Sequence, residues 1–81
     1  MDLKETIEMM LSNEYKERFK AEYYQLKIRY DKLDAMLIKF EAGALDFKPT
    51  CPIELLLKQK NCMADYILIL EERARIEGIE L

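Results

Sequence analysis

The 81-residue sequence contains no histidine, no tryptophan and a single serine, Ser12. Histidine is the usual general base and a common zinc ligand, so its absence excludes the Ser-His-Asp triad and most acid–base and zinc chemistry. The only two glycines, Gly43 and Gly78, are far apart, so the chain has no glycine-rich phosphate loop. These absences argue against a catalytic residue, a metal site or a bound cofactor.

Turn-forming residues are also scarce, with two glycines and two prolines, whereas 51% of the residues are hydrophobic and 36% are charged. This composition is typical of an ordered chain. The length allows one domain, residues 1–81, that buries only about 60% of the surface its unfolded form exposes. Because such a monomer would be marginally stable, we expect self-association.

The N-terminus is acidic where a secretory signal would be basic, and the longest uninterrupted apolar run, Tyr66 to Leu70, has five residues. We therefore expect neither export nor a membrane span. Cys51 and Cys62 are about 16 Å apart along a helix, too far to form a disulfide with each other. A reduced, cytoplasmic protein is predicted, and the pattern assigns no role to either thiol.

Apolar residues recur at alternating spacings of four and three, which is the pattern of an amphipathic helix with a heptad repeat. No Gly, Pro, Ser, Thr or Asn interrupts residues 14–41. Ser12 and Asn13 are candidate caps, and Gly43 marks the end. The pattern predicts a helix over residues 14–42. Its apolar seam consists of Phe19, Tyr23, Leu26, Tyr30, Leu33, Leu37 and Phe40.

A second long helix is predicted over residues 52–77, with Thr50 or Cys51 as its cap and Gly78 as a left-handed C-terminal cap. In the linker before it, Leu45 and Phe47 are expected to pack back onto the core.

Residues 2–11 carry apolar residues at helical spacing and predict a short leading helix. Because the linker is short, the two long helices should be antiparallel. The predicted fold is all-α, a long antiparallel helical hairpin with a short N-terminal helix.

The second long helix displays more apolar surface than one neighbouring helix can cover. Each exposed Leu or Ile forgoes about 2 kcal/mol of burial. We therefore predict a homo-oligomer, unless the leading helix covers this face. The predicted oligomer interface consists of Leu55, Tyr66, Leu68, Ile69 and Ile76.

Charge is uneven along the chain, because residues 14–32 hold six bases and four acids, a local +2 within a net charge of -3. Lys16, Lys20, Tyr24 and Lys27 follow one another at spacings of four, four and three. Such a stripe suits phosphates held by ammonium groups and a base stacked on the tyrosine, although it also suits a solvated face. Duplex nucleic acid is a poor partner for an acidic chain without a dense basic footprint.

Tyr23 and Tyr30 occupy seam positions, so their hydroxyls need partners, which Lys60, Gln59 or Arg73 could supply. The result would be either a polar layer that fixes the register of the helices or the lining of a ligand pocket between protomers. The predicted ligand-binding residues are Lys16, Lys20, Tyr23, Tyr24, Lys27, Arg29 and Tyr30.

The stretch from Glu17 to Tyr30, the Cys51-Pro52 start of the second helix and the ending Glu77 to Leu81 resemble the crAss-phage-related family of small helical phage and prophage proteins. The resemblance implies an accessory protein that acts inside a bacterial host cell, and it brings no catalytic motif. Some compact helical phage proteins inhibit host defence by binding nucleotide-derived signals between protomers, and the analogy with them is one of size and architecture.

These observations together favour a non-enzymatic, oligomeric counter-defence protein that sequesters a small phosphorylated, nucleotide-derived signal. The alternative is a helical interaction module whose apolar face binds a host or phage protein and inhibits or scaffolds it. A third reading is a structural coiled coil of the virion.

Overall fold

The computed structural model describes all 81 residues, and its regular secondary structure is entirely helical. A 3₁₀ turn, Leu3–Thr6, continues into the short helix α1, Ile7–Met10. The two long helices are α2, Tyr15–Glu41, and α3, Ile53–Glu77. The predicted fold class, an all-α hairpin with a short N-terminal helix, is confirmed.

The two long helices begin differently from the prediction. Glu14, in extended conformation, precedes α2 and makes no side-chain capping bond, while the Ser12 hydroxyl accepts a hydrogen bond from the Glu14 N–H at 3.0 Å. Ser12 therefore shapes the turn before α2 instead of capping the helix. Pro52, not Thr50 or Cys51, is the residue that caps α3, because its carbonyl accepts from the Leu56 N–H at 3.2 Å.

The C-terminal ends of both long helices require left-handed backbone, which glycine supplies without steric cost. Gly43 and Gly78 both have φ of 70°. Beyond Gly78, the Ile79 N–H donates to the Ala74 carbonyl at 2.8 Å, and the Ile79 side chain is buried. The predicted left-handed cap with its apolar contact is thus present at the end of α3.

The core lies between α2 and the C-terminal half of α3. The start of α2 contacts the end of α3, as Tyr15 with Glu77 shows, and Asp34 contacts Lys60 nearer the loop, so the two helices run antiparallel. Tyr24, Leu26 and Tyr30 pack against the edge of this core. Its buried members are Phe19, Tyr23, Ile67, Leu70, Ala74 and Ile79.

The leading segment packs on α2 and makes no contact with α3. Thr6 is fully buried there, where its hydroxyl donates to the Leu3 carbonyl at 2.7 Å and accepts from the Gln25 amide at 3.0 Å. Ala21, on the same side of α2, is 2% exposed. The leading segment therefore does not cover the apolar face of α3, so the alternative that this segment covers the face is wrong, while self-association stays a prediction.

The molecule is elongated and leaves much of its surface uncovered. Only nine of the 81 residues are buried, and the accessible surface is 6062 Å², whereas a compact folded chain of this mass exposes about 5,100 Å². The radius of gyration is 14.9 Å, against about 12 Å for a compact domain of this length. The excess of about 950 Å² arises because two long helices lie side by side with little else packed on them.

Candidate ligand-binding and assembly surfaces

The basic stripe of Lys16, Lys20, Tyr24 and Lys27 lies along one face of α2, as helical periodicity requires. Two of its ammonium groups have acidic neighbours. Lys20 Nζ is 3.6 Å from Glu17 and Lys27 Nζ is 3.3 Å from Asp31. Both pairs lie near the surface, where such pairs contribute about 0–1 kcal/mol, so a phosphate would displace the carboxylates at little cost.

The aromatic member of the stripe, Tyr24, packs against the edge of the core. The Tyr24 ring meets the Tyr23 ring edge-on, with centroids 5.4 Å apart and an interplanar angle of 71°. Lys27 Nζ lies 5.5 Å from the centroid of the Tyr30 ring, within the range of a cation–π contact. Tyr24 is half-buried, so part of this fixed ring remains open to solvent.

Tyr23 is a core residue, 8% exposed, and its hydroxyl donates to Glu71 Oε2 at 2.7 Å. Burial, with help from this hydrogen bond, raises the pKa of Tyr23 to about 12. Two of the three partners expected from the sequence are engaged elsewhere. Lys60 Nζ lies 2.9 Å from Asp34, which raises the pKa of Lys60, and Arg73 donates to Tyr15 and Glu77. A polar contact does bridge the helices here, but the acceptor is Glu71.

Arg29 lies apart from the basic stripe. It follows Lys27 by two residues, which is about 200° around a helix, so the two side chains leave opposite sides of α2. Tyr23 and Tyr30 lie in the seam beneath the stripe. Of the predicted ligand residues, only the four members of the stripe therefore share one exposed face of a single chain.

A polar cluster closes the end of the hairpin where α2 begins and α3 ends. Tyr15 Oη donates to Glu77 Oε1 at 2.6 Å, and Arg73 donates to both residues, at 3.0 Å to Tyr15 and 3.3 Å to Glu77. Arg73 also lies 5.1 Å from the Phe19 ring centroid. The hydrogen bond from Tyr15 lowers the pKa of Glu77. Sequence reasoning missed this cluster, which becomes visible only when the two helices are set in antiparallel register.

A second apolar row, here called the outer row, runs along the side of α3 turned away from α2. Leu55, Cys62, Ile69 and Ile76 follow one another every seven residues, and all four are exposed. Tyr66 lies beside the row, and its hydroxyl donates to Glu22. Leu68 is one residue from Ile69 and thus about 100° around the helix, on a different side. Four of the five predicted interface residues therefore share one face.

A family model described as Sequestin matches residues 13–76. The chain belongs to the Sequestin family. No curated protein and no solved structure matched the chain. The match does not test the resemblance to the crAss-phage-related family, which stays a prediction.

The Sequestin match covers α2, the loop and nearly all of α3, and it leaves out the 3₁₀ turn and α1. The basic stripe and the outer row both lie inside the matched segment. No group of three or more Cys, Asp or Glu side chains is arranged to hold a metal ion. None of the helices combines the length and the apolar content that crossing a bilayer requires. The surfaces that characterise this Sequestin hairpin are one apolar face and one basic face.

Proposed function

We propose that this protein is a non-catalytic phage or prophage counter-defence protein that assembles through α3 and sequesters a nucleotide-derived signal in the host cell. The family name describes sequestration, which is an act of binding. The observation that carries the proposal is the outer row, because assembly would bury its exposed apolar side chains. Assembly in turn multiplies the basic stripes that a ligand can meet.

Assembly follows from the area that one copy leaves uncovered. Leu55, Ile69 and Ile76 of the outer row are 55%, 58% and 69% exposed, and burial of an aliphatic side chain gains about 2 kcal/mol. The excess surface of about 950 Å² is close to the roughly 800 Å² that each partner buries in a standard interface. A spacing of seven residues along the outer row is the repeat that a coiled-coil partner matches. A second copy of α3 is therefore the occupant of the outer row.

Ligand binding is assigned to the basic stripe. Lys16, Lys20 and Lys27 supply ammonium groups over about 16 Å of helix, and Tyr24 supplies an aromatic edge or face for a base. Stacking on such a ring contributes about 1–3 kcal/mol. Tyr23 and Tyr30 hold Tyr24 and Lys27 in position from below, and Arg29 reaches a stripe only if it comes from another copy.

The test of ligand binding is thermal melting of the purified protein with a panel of cyclic and linear nucleotides. A ligand at 100 times its dissociation constant stabilises by about 2.7 kcal/mol, which corresponds to a rise in Tm of about 10–20 °C for a domain of this size. The variant Lys20→Glu/Lys27→Glu should remove the shift and leave the mass in light scattering unchanged. No shift with any nucleotide contradicts the ligand assignment.

The test of assembly uses two neighbouring residues of similar exposure. Ile69→Glu places a charge in the outer row and should reduce the mass measured by light scattering, because burying an unpaired carboxylate is costly. Leu68→Glu makes the same aliphatic-to-carboxylate change outside the outer row and should leave the mass unaltered. Equal masses for the wild type and Ile69→Glu would contradict assembly through this face.

The exposed outer row also favours one competing function, an interaction module that binds a host or phage protein by a helix face. A protein that is monomeric in light scattering and melts at the same temperature with every nucleotide would support that function over sequestration.

A further inference from the structure

The loop between α2 and α3 folds beside α2 and leaves a hollow of about 410 Å³ that none of the surfaces described above includes. Ala35 and Met36 of α2 lie on one side of it, with Lys32 and Lys39 on the same helix. Its volume falls in the usual range of small-molecule sites, about 300–1,000 Å³. The hollow is thus large enough for a ligand and carries charge on its helical side.

Lys32 and Lys39 have free ammonium groups. The five ion pairs of the structure engage Lys20, Lys27, Lys60, Arg73 and Arg75, and neither lysine of the hollow donates a side-chain hydrogen bond. The two lysines are seven residues apart, about 10 Å along one side of the helix. They therefore present two positive charges to an incoming anion without first releasing a carboxylate.

Phe47 supplies an aromatic surface at the same hollow. The ring was expected to pack back onto the core, but it is 55% exposed. It borders the hollow with Lys32 and Lys39, and it also borders a second hollow of about 490 Å³ lined by Lys48 and Phe40. An aromatic ring open to two hollows is available for stacking, and covering it would recover the burial that it lacks in the free protein.

We propose that this hollow is a ligand site for a nucleoside that carries two or more phosphate groups. The phosphates contact Lys32 and Lys39, and the base stacks on Phe47. The Asp46 carboxylate, on the loop side of the hollow, accepts hydrogen bonds from a base amine or a sugar hydroxyl and keeps the phosphates on the helical side. The site is separate from the basic stripe. Lys32 is only about 7.5 Å along α2 from Lys27, but it lies about 140° around the helix, and Lys39 lies about 18 Å along α2 from Lys27. The site requires no assembly.

The experiment is a titration of the ¹⁵N-labelled full chain with ADP, pyrophosphate and adenosine, followed by amide chemical shifts. ADP should shift the amides of Lys32, Lys39 and residues 44–47. Lys32→Glu/Lys39→Glu should weaken ADP binding by about 100-fold, since each lost phosphate contact is worth about tenfold. Phe47→Ala should weaken ADP about tenfold and leave pyrophosphate unchanged, because only the base stacks.

The double charge reversal Lys4→Glu/Lys58→Glu is the matched control, since it changes net charge equally at exposed lysines away from the hollow. An equal loss of ADP affinity in this control would mean that binding follows net charge, and would overturn the site. Absence of ADP-induced shifts in the loop also overturns it. Shifts confined to Lys20, Tyr24 and Lys27 would overturn this site while leaving the basic stripe of the proposed function in place. Loop shifts that survive Lys20→Glu/Lys27→Glu support the loop site alone.

Discussion

Tyr23→Phe tests whether the hydrogen bond between the two long helices stabilises the hairpin. The hydroxyl donates to Glu71 at 2.7 Å from a ring that is 8% exposed. Hydrogen bonds to charged groups contribute about 1.5–3 kcal/mol. Because Glu71 is exposed and regains water when the hydroxyl is removed, we expect the lower end, about 1.5 kcal/mol. For a domain of this size that is a fall in Tm of about 6–12 °C.

The assay is urea unfolding followed by circular dichroism at 222 nm, at one fixed protein concentration because assembly would shift the midpoint. Tyr30→Phe is the matched control: Tyr30 lies in the same seam, is half-buried, and makes no side-chain hydrogen bond through its hydroxyl. A loss in Tyr23→Phe that is no larger than the loss in Tyr30→Phe would refute the reasoning.

The hydrogen bond between Tyr23 and Glu71 should also make the unfolding free energy depend on pH in the alkaline range. Since folding raises the pKa of Tyr23 from its usual value near 10 to about 12, folding favours the protonated hydroxyl. The stabilisation is complete below pH 10 and is lost as the pH rises through about 12. The difference in unfolding free energy between the wild type and Tyr23→Phe should therefore narrow above pH 10. A difference that stays constant to pH 12 would show that the hydroxyl titrates alike in both states.

Two further predictions concern the leading segment and the end of the hairpin where α3 stops. Thr6→Val keeps the shape of a fully buried side chain but leaves the Leu3 carbonyl and the Gln25 amide without their partner, and each unsatisfied group costs about 1–3 kcal/mol. Amide hydrogen exchange in residues 3–10 should therefore accelerate, while the centres of α2 and α3 stay protected. Unchanged exchange would contradict the role of Thr6 in holding the leading segment on α2. The hydrogen bond from Tyr15 lowers the pKa of Glu77, so the stability that Glu77 contributes is present above its ordinary pKa near 4.3 and is lost as the pH falls through the lower folded value. The Tm of the wild type should therefore fall more steeply from pH 5 to pH 3 than the Tm of Glu77→Gln. Parallel curves would contradict a stabilising role for the Glu77 carboxylate.

Local patterns predicted the helices because helix formation depends on residues a few positions apart. The four-and-three spacing from Phe19 to Phe40 lies within α2, and Gly78 takes the left-handed conformation that only a glycine adopts without cost. Gly43 likewise follows the end of α2 with φ of 70°. Each of these features could be inferred without knowing where any other helix lies.

Contacts between the helices could not be inferred in the same way. The partner of Tyr23 depends on how far α3 slides along α2, and the loop decides this register. The actual register places Glu71 beside Tyr23 and Asp34 beside Lys60. The exposure of Phe47 has the same origin, because the path of residues 44–51 decides whether its ring reaches the core.

Two features were within reach of sequence reasoning. Helical periodicity alone separates Arg29 from Lys27 by about 200°, so grouping them in one site overlooked a constraint already present in the sequence. The same arithmetic separates Leu68 from Ile69 and reveals that Cys62 completes the seven-residue spacing between Leu55 and Ile69.

Native mass spectrometry of the purified full chain, with and without the nucleotide panel, tests the central claim most directly. We expect masses at multiples of the 9.7 kDa chain, with nucleotide bound to the assembly and recovered chemically unchanged after denaturation. A single 9.7 kDa species that binds no nucleotide, or a nucleotide released in altered form, would contradict a protein that assembles and holds its ligand without transforming it.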